Sequence, residues 1–337
     1  MDRDVPVGEA TTAPGRVADG LRAAVGIVHY HNLDDLGRCL DALAGQQCAP
    51  VRVRVYDVVE TPEEAASPER SALSQRHPDV EWLNGDNVGF AAAANRLLAA
   101  ECGAPAPADV QLILNADIAL DPEHLARLLP VFSDEPDVAI AGGKLLRPGR
   151  ELIDSAGIRM PAHARPRDVA SELPDTGEWD APRDVFAVSG AALAVRTAAL
   201  ERLALDGEIF DERFFMYHED TDLCWRAARL GRRVRYVPGA VAVHRRGWRK
   251  DERFQQPVWI RRHSFKNHYL QLLKNETAGG FVRRLPALTL WEGLRLGFAV
   301  LRDPGILPAY GQALAALPDA WRKRRLLRAK IRSLSAD

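Results

Sequence analysis

Short apolar runs alternate with amphipathic stretches through the first part of the chain. Four runs have the length and composition of strands, and they lie at residues 23–30, 51–57, 80–83 and 110–114. Between them, Leu or Ala at helical spacing predicts helices that begin after Asn32, after Asn87 and at Pro122. Because strands alternate with helices, the pattern predicts an α/β fold whose open, mostly parallel sheet carries helices on both faces.

The pattern weakens in the middle of the chain and then returns. Residues 148–182 are rich in Pro, Arg, Asp and Gly, and their lack of periodicity predicts a long, mobile excursion. Apolar runs of the strand type resume at 187–195, 234–238 and 240–244. A helical pattern that starts near Leu223 ends at Gly231.

The last part of the chain has a different composition. Apolar and aromatic residues share helical stretches with Arg and Lys at 257–275, 288–301, 306–317 and 321–332. We therefore expect a disordered leader at 1–20, an α/β domain at 21–250 and a basic amphipathic helical extension at 251–337. The leader is polar and lacks the apolar segment of a signal peptide.

Charge separates the same two parts of the 337-residue chain. Residues 1–244 contain 25 Lys and Arg against 39 Asp and Glu, whereas residues 245–337 contain 20 against 7. Seven cations lie in the last predicted helix, at Arg322, Lys323, Arg324, Arg325, Arg328, Lys330 and Arg332. Such a helix suits an anionic membrane surface, and a solvated helix that closes the domain is the alternative. The basic charge leaves nucleic-acid binding open as a lesser alternative, but no signature of it is present, so no nucleic acid is expected as a partner.

The cysteines indicate the compartment. Cys39, Cys48, Cys102 and Cys224 show neither Cys-x-x-Cys spacing nor pairing with His, so we interpret them as reduced thiols of a cytoplasmic protein. No window has the run of about 18 apolar residues that a transmembrane helix needs. With the basic extension, this predicts a peripheral protein on the inner face of the cell membrane.

An acidic motif is the strongest candidate for chemistry. Glu219, Asp220 and Asp222 lie within four positions, after the aromatic run 214–217 and before a helical pattern. Carboxylates packed this closely repel one another unless a cation or a proton-transfer role offsets the repulsion. The structural alternative is that they only complement the dipole of the following helix.

Polar residues also follow each predicted strand of the sheet. Tyr30, Asp57, residues 84–87 and the pair Asn115 and Asp117 occupy these positions. In open α/β sheets ligands bind beyond the carboxyl ends of the strands, so we expect these side chains along one rim. For any one of them, ordinary loop polarity would suffice.

These motifs together resemble those of a known family. From about residue 23 to 247 the chain is similar to the GT-A-fold, family 2 glycosyltransferases, and within them to the bacterial rhamnosyltransferase-like branch. The motifs that carry the resemblance are Asn87-Val88-Gly89-Phe90-Ala91 with Asn95, Leu114-Asn115-Ala116-Asp117, Ser189-Gly190-Ala191, Phe210-Asp211-Glu212-Arg213 and Glu219-Asp220-Thr221-Asp222. The resemblance implies that residues 21–250 form a GT-A catalytic domain.

The resemblance also implies roles for individual residues. Asp220 would be the catalytic base, with Glu219 beside it, and Asp117 and His244 would bind a divalent metal, Mg²⁺ or Mn²⁺, on the donor diphosphate. Donor-binding residues would be Tyr30, Asp57, Asn87, Gly89, Asn95, Asn115 and Asp117, and acceptor-side residues would be Ser189, Gly190 and Asp222. One base without an opposing nucleophile favours a single displacement that inverts the anomeric carbon. The first expectation for the donor is dTDP-L-rhamnose, and the acceptor is expected to be a glycan or a lipid-linked glycan.

The chain departs from the family pattern at the metal motif, after the first strand, and after Asp57, where Val58 and Glu60 stand in place of the usual Asn and Ser. Asn115 stands where the metal motif usually has its first Asp, so one fewer negative charge would hold the ion. His29-Tyr30-His31 replaces the usual Thr-Tyr-Asn after the first strand, which changes the surroundings of the nucleobase. A catalytically weak sugar-nucleotide-binding protein is therefore the alternative to an enzyme.

Overall fold

A mixed β-sheet with helices on both faces forms the body of the protein. The computed structural model describes residues 20–246 and 255–334. Except for Gly20, the expected leader at 1–20 lies outside the described residues. The expected start of the helical extension also lies outside them, between residues 247 and 254.

The strands follow the predicted order in the first half of the chain. They are β1 (Ala23–His29), β2 (Arg52–Val58), β3 (Val80–Gly85), β4 (Val110–Asn115), β5 (Ile118–Leu120), β6 (Val138–Leu146), β7 (Ile153–Ser155), β8 (Ile158–Arg159), β9 (Arg167–Asp168), β10 (Arg183–Asp184), β11 (Ala192–Arg196) and β12 (Arg233–His244). Across the sheet the order is β10-β12-β6-β11-β4-β1-β2-β3, with β5 beside β12 and β7 beside β6. The strands β1 to β4 pair in parallel, whereas β5, β7, β10 and β11 run antiparallel to their neighbours. The sheet is therefore parallel on one side and mixed on the other.

The helices are distributed between and after these strands. They are α1 (Leu33–Ala44), α2 (Pro62–Ala65), α3 (Pro68–Arg76), α4 (Phe90–Cys102), α5 (His124–Leu128), α6 (Pro130–Asp134), α7 (Leu200–Leu203), α8 (Glu219–Arg229), α9 (Val258–Asn275), α10 (Ala278–Arg302) and α11 (Pro308–Leu334). Asn32 caps α1 as predicted, because its side chain accepts a hydrogen bond from the Asp35 amide. The helix expected to begin at Pro122 is α5, which begins at His124.

Two apolar cores lie on opposite faces of the sheet. Leu112 and Leu114 pack into one core with helix α1, while Ile113 between them packs into the other with α4 and α8. This alternation along β4 is what a strand covered on both faces requires. Helices on both faces are thus confirmed.

The middle of the chain differs from its prediction in three ways. Strand β6 was not predicted, although its nine residues are all buried. The runs at 234–238 and 240–244 form the single strand β12, with a register shift between Val237 and Val241. The excursion 148–182 contains β7, β8 and β9, and it contributes side chains to the candidate site described below.

The basic C-terminal segment packs against the α/β body. The two helices predicted at 306–317 and 321–332 form one helix, α11, with Pro318 inside it. Lys323 is 2% exposed and pairs with Glu208 and Asp211, and buried Arg324 donates to the carbonyl of Leu273. The seven cations of this segment therefore do not form one membrane-facing row, and the domain-closing alternative describes this part of α11. No helix among residues 20–246 and 255–334 has the length and apolarity to cross a membrane.

Candidate active site at the carboxyl end of the sheet

The polar strand ends lie in register, as the sequence predicts. His29 of β1 pairs with Asp57 of β2, Asp57 with Asn84 of β3, and Val28 with Asn115 of β4. Parallel pairing places all four carboxyl ends at one edge of the sheet. The predicted rim is therefore present.

Strand pairing brings Asp117 and His244 together from distant parts of the chain. His244 lies opposite Ile118 in the antiparallel pair of β12 and β5, directly beside Asp117. The His244 Nε2 atom is 3.4 Å from Asp117 Oδ2, and its Nδ1 atom is 2.7 Å from Asp154 Oδ2. In the neutral tautomer whose Nδ1–H donates a hydrogen bond to Asp154, the Nε2 atom presents its lone pair toward Asp117.

The Asp117 and His244 pair fits a divalent metal ion. An oxygen and a nitrogen 3.4 Å apart can be neighbouring ligands of one ion, since Mg²⁺–oxygen bonds are about 2.1 Å long. In the described ranges no cluster of three His, Cys, Asp or Glu side chains is arranged to enclose an ion. Two protein ligands would leave the other positions to phosphate and water oxygens, as is common for Mg²⁺ beside a diphosphate.

The protonation of His244 is linked to this pair. Although burial opposes its charge, hydrogen bonds to Asp117 and Asp154 raise the pKa of His244 to about 9. Without a metal the imidazole therefore carries a proton at neutral pH. Because a metal ligand must be deprotonated, ion binding at this position would release that proton.

Asp154, Asp168 and Arg246 complete this side of the site, and the sequence analysis missed all three. Asp154 is fully buried on β7, where Arg147 Nε lies 2.8 Å away. Arg246 lies 3.7 Å from Asp154 and 3.6 Å from Asp168 at the end of β9. Their signal was weak because two of them lie in the excursion 148–182, where nothing in the pattern separates one acidic residue from the next.

Asp220 lies at the start of α8, held by two backbone amides. Its Oδ2 accepts from the Gly190 N–H at 2.8 Å, and its Oδ1 accepts from the Thr221 N–H at 2.6 Å. A Cβ on residue 190 would lie 3.0 Å from the Cβ of Asp220, so Gly190 permits this approach. Asp220 therefore lies directly beside the motif Ser189-Gly190-Ala191.

The environment of Asp220 keeps its carboxylate basic. Burial raises its pKa to about 6, with the charge of nearby Asp168 adding to the effect and the amide hydrogen bonds of Gly190 and Thr221 opposing it. A carboxylate with this pKa is ionised at neutral pH and still accepts a proton readily. Asp220 is thus suited to general-base catalysis.

Glu219 is in a different state from its neighbour. Its side chain is buried, and its Oε2 atom has no hydrogen-bond partner in the described part of the chain. Burial, together with the charge of Asp220, raises the pKa of Glu219 well above its ordinary value. These effects favour the protonated form of Glu219, whereas the amide hydrogen bonds at Asp220 favour the ionised form of that carboxyl group.

The segment before α8 is strained and is held by α9. Phe215, Tyr217 and His218 have φ angles of 65°, 69° and 70°, in the left-handed region that non-glycine residues rarely adopt. The Asn267 amide on α9 donates to the carbonyls of Phe214, Met216 and Tyr217 at 2.8–2.9 Å. The helical extension is therefore part of the scaffold that positions the acidic motif.

A buried ion cluster ties α8, α9 and α11 together; it consists of Glu208, Asp211, Asp222, Lys274 and Lys323. Lys274 pairs with Asp211 and lies 2.8 Å from Asp222, and Lys323 lies 2.7 Å from both Asp211 and Glu208. Asp222 is fully buried, and its other oxygen accepts from the Asn275 amide at 2.7 Å. The Asp222 carboxylate, which was expected on the acceptor side, faces α9, where it anchors the helix that carries Asp220. Ser189 and Gly190 remain on the side of Asp220.

The donor-side residues divide into two groups. Tyr30 is 45% exposed at the rim, and Asp57 is buried behind it, where its oxygens accept from Arg70 at 2.5 and 2.9 Å and lie 2.6 Å from His29 Nδ1. Asp57 is therefore already engaged, although it was expected to be available to a nucleobase. Arg70 was not among the predicted residues.

The Asn87 to Asn95 segment mainly supports the acidic motif. Asn87 accepts from the Gly89 N–H, and Gly89 has a φ of 81° and packs so closely on Phe215 that a Cβ would lie 2.5 Å from the ring. Asn95 binds the backbone of Phe210 through both ends of its amide, at 2.8 and 2.9 Å. Asn95 thus joins α4 to the segment before the acidic motif, and its expected donor contact stays a prediction.

Comparisons with known proteins identify the family of the chain. The model of the glycosyltransferase like family 2 matches residues 22–263. N-acetylglucosaminyl-diphospho-decaprenol L-rhamnosyltransferase of Mycobacterium tuberculosis (strain ATCC 25618 / H37Rv) is 31% identical over 191 residues, which are 51% of this chain and 61% of the relative. The pre-mycofactocin glycosyltransferase of the same strain is 32% identical over 193 residues, 56% of this chain and 36% of the relative. The chain thus spans less than two thirds of either relative.

The fold is shared with a solved enzyme. A mannosyltransferase from Pyrobaculum calidifontis, in complex with GDP-Man and Mn²⁺, has a TM-score of 0.54 at 17% identity, over 97% of this chain and 89% of that one. The family match covers the sheet, the rim and the acidic motif, and the structural match extends over the C-terminal helices. The chain therefore belongs to the family 2 glycosyltransferases and has the GT-A fold.

Proposed function

We propose that this glycosyltransferase moves L-rhamnose from dTDP-L-rhamnose to a hydroxyl of a glycan or lipid-linked acceptor, with inversion at the anomeric carbon. The observation that carries the proposal is Asp220, a basic carboxylate held by Gly190 and Thr221 on the candidate acceptor side. The similarity to a rhamnosyltransferase supports the choice of sugar. UDP- and GDP-sugars are the next candidates.

Asp220 would act on the acceptor hydroxyl. An alcohol is a weak nucleophile, and it gains strength when a carboxylate within hydrogen-bond reach accepts its proton during attack. The oxygen–carbon bond to the acceptor forms as the bond from the anomeric carbon to the diphosphate breaks. Because burial and the charge of Asp220 raise the pKa of Glu219, its protonated form is favoured, and we assign the proton transfer to Asp220.

Asp117 and His244 would hold a divalent cation on the donor, and Asp154 would orient His244. Bound there, Mg²⁺ or Mn²⁺ would stabilise the negative charge that develops on the leaving diphosphate. Arg246, beside Asp154 and Asp168, adds a fixed positive charge to the same region. Asn115 contributes no charge to this pair.

We expect Asp117→Ala and His244→Ala each to weaken metal-dependent donor binding by about tenfold or more, because each removes one of two protein ligands. The measurement is a calorimetric titration of donor with Mn²⁺ and with a chelator. Binding should also strengthen as pH rises toward 9, since His244 must lose its proton to bind the metal. The control is His77→Ala, which removes a histidine that is paired with Asp41 at the end of α3. This variant should bind donor as the wild type does. Equal donor affinity of the wild type in chelator would contradict the metal role.

A panel of nucleotide sugars tests the activity itself. Wild-type protein with Mn²⁺ should release free nucleoside diphosphate from dTDP-L-rhamnose faster than from UDP- or GDP-sugars. Preference for another donor would overturn the choice of rhamnose and would still support the assignment of transferase activity. Binding without release from any donor, with a range of soluble acceptor analogues, would favour the sugar-nucleotide-binding alternative.

We place this reaction on the cytoplasmic side of the membrane, with the C-terminal helices toward the bilayer. The relative named for a decaprenol-linked substrate supports a lipid-linked acceptor. Burial of Lys323 and Arg324 weakens the nucleic-acid alternative, because these two cations of the most basic segment are not accessible to a phosphate backbone.

A further inference from the structure

Helix α10 presents an apolar face that nothing in the described structure covers. Val282, Leu290, Leu294 and Leu301 are 69%, 68%, 63% and 80% exposed. Their spacing of eight, four and seven residues places them on one side of the helix. Single exposed leucines are ordinary, but a row along 20 residues of one helix indicates a surface that binds a partner.

The charges on this helix are distributed in a specific way. The one acid of α10, Glu292, faces inward, where it pairs with Arg295 and accepts from the hydroxyl of Tyr269. Arg283 and Arg302 are exposed near the two ends of the apolar row. Between residues 278 and 302 the outward face therefore has cations and no carboxylate.

The C-terminal end of α10 lines a shallow groove of about 520 Å³, together with Arg261 of α9. The lining residues are Arg261, Phe298, Arg302 and Asp303. Arg261 is paired with Asp303, whereas Arg302 forms no ion pair in the part of the chain that the structure describes. An arginine beside an aromatic ring at the edge of an apolar row is suited to a phosphate headgroup, with acyl chains against the leucines.

The inner side of α10 leads to the candidate active site. Trp291 stacks on His163 with ring centroids 4.5 Å apart, and Arg284 donates to the carbonyl of Pro161 at 2.6 Å. These residues precede β9, whose Asp168 lies 3.6 Å from Arg246. A surface bound to α10 would therefore be connected to the site by one short hairpin.

We propose that α10 is an interfacial membrane anchor, with Val282, Leu290, Leu294 and Leu301 inserted in an anionic bilayer and Arg283 and Arg302 at its phosphates. Two copies of this face would bring arginines together without any carboxylate to pair with them, whereas anionic lipids supply the missing charge. With 25 residues and five charged side chains, α10 is suited to lie in the interface and not to cross it. The anchor thus moves from the basic row of α11, where it was first expected, to α10.

Vesicle co-sedimentation tests the anchor. Full-length protein should sediment with phosphatidylcholine vesicles that contain phosphatidylglycerol, less with phosphatidylcholine alone, and less as salt rises. The double variant Leu290→Glu, Leu294→Glu should bind at least about tenfold more weakly, because it places two anions in the inserted face. As a matched control, Val51→Glu with Leu173→Glu changes two exposed apolar residues of the α/β body and should sediment as wild type.

Three outcomes would overturn the proposal. In the first, the wild-type protein stays in solution with anionic vesicles at low salt. In the second, the double variant sediments as the wild type does. In the third, the wild-type protein is a dimer that does not bind vesicles, and the double variant is a monomer. Because no donor or acceptor is present, failure here leaves the proposed transfer intact. Failure of the donor panel would equally leave the anchor intact.

Discussion

The Asp220→Asn variant is expected to lose transfer activity by about a thousandfold while it binds donor within a few-fold of wild type. An amide cannot accept the proton of the acceptor hydroxyl. It keeps the size of the side chain, although its single oxygen takes the place of only one of the two carboxylate oxygens that accept from the Gly190 and Thr221 amides. The measurement is the rate of nucleoside diphosphate release in the presence of acceptor, with donor affinity from calorimetry.

The pH profile of the wild type gives a second view of the same residue. Because the pKa of Asp220 is about 6, kcat/KM should fall as pH drops through that value and the base becomes protonated. Folding has the opposite dependence: a carboxyl pKa raised above its unfolded value contributes stability at low pH that is lost as pH rises through 6. Asp220→Asn should therefore remain as resistant to heating at pH 8 as the wild type, to within a few degrees.

Asp79→Asn is the matched control, since it changes an exposed aspartate in the turn before β3. It should alter neither rate nor donor affinity. Asp222→Asn is unsuitable as a control, because that carboxylate is buried against Lys274. If Asp220→Asn turned over donor at the wild-type rate, another group would have to be the base.

Lys274→Met is expected to lower the free energy of unfolding by about 3 kcal/mol, because it removes the cation that two buried carboxylates share and leaves Asp211 with Lys323 and Asp222 with the Asn275 amide. Lys274 is the shared cation of Asp211 and Asp222, and all three side chains are at most 3% exposed. Thermal and urea denaturation at neutral pH measure the effect. Transfer activity should fall as well, since Asp222 anchors the first turn of the helix that carries Asp220.

Arg325→Met serves as the control, because it removes one exposed cation from α11 and should change stability by about 0.5 kcal/mol or less. In the double variant Lys274→Met, Asp222→Asn, the loss should be smaller than the sum of the two single losses. Additive losses would show that Lys274 and Asp222 act independently, against the role assigned to the buried ion cluster.

The sequence was sufficient for the parallel half of the fold and for its rim. Strands β1 and β4 are compact apolar runs, and β2 alternates Val with Arg. The polar residues at their carboxyl ends, such as Asp57 and Asn115, meet because parallel strands end at one edge. Strand β6 was missed because Gly142 and Gly143 interrupt its apolar run. Those glycines are needed there, since a Cβ at Gly143 would lie 1.7 Å from the Ala240 carbonyl oxygen.

The side chains that support the site could not be read in the same way. Asp154 becomes distinctive only through its hydrogen bond to His244, and nothing local distinguishes it from other acids of its loop. Likewise, Asn267, Gln271 and Lys274 follow one another at helical spacing on α9, but their partners lie about 50 residues earlier in the chain. Contacts of this length depend on tertiary packing, which a pattern of hydrophobic and polar positions does not encode.

The central claim is a single displacement at the anomeric carbon, with Asp220 as the base. The most direct test is the configuration of the product, followed by proton NMR of the anomeric signal during turnover of the preferred donor with Mn²⁺ and an acceptor. A single displacement predicts that the first product formed has the anomeric configuration opposite to that of the donor. A first product with retained configuration would require a different mechanism and would contradict the role given to Asp220.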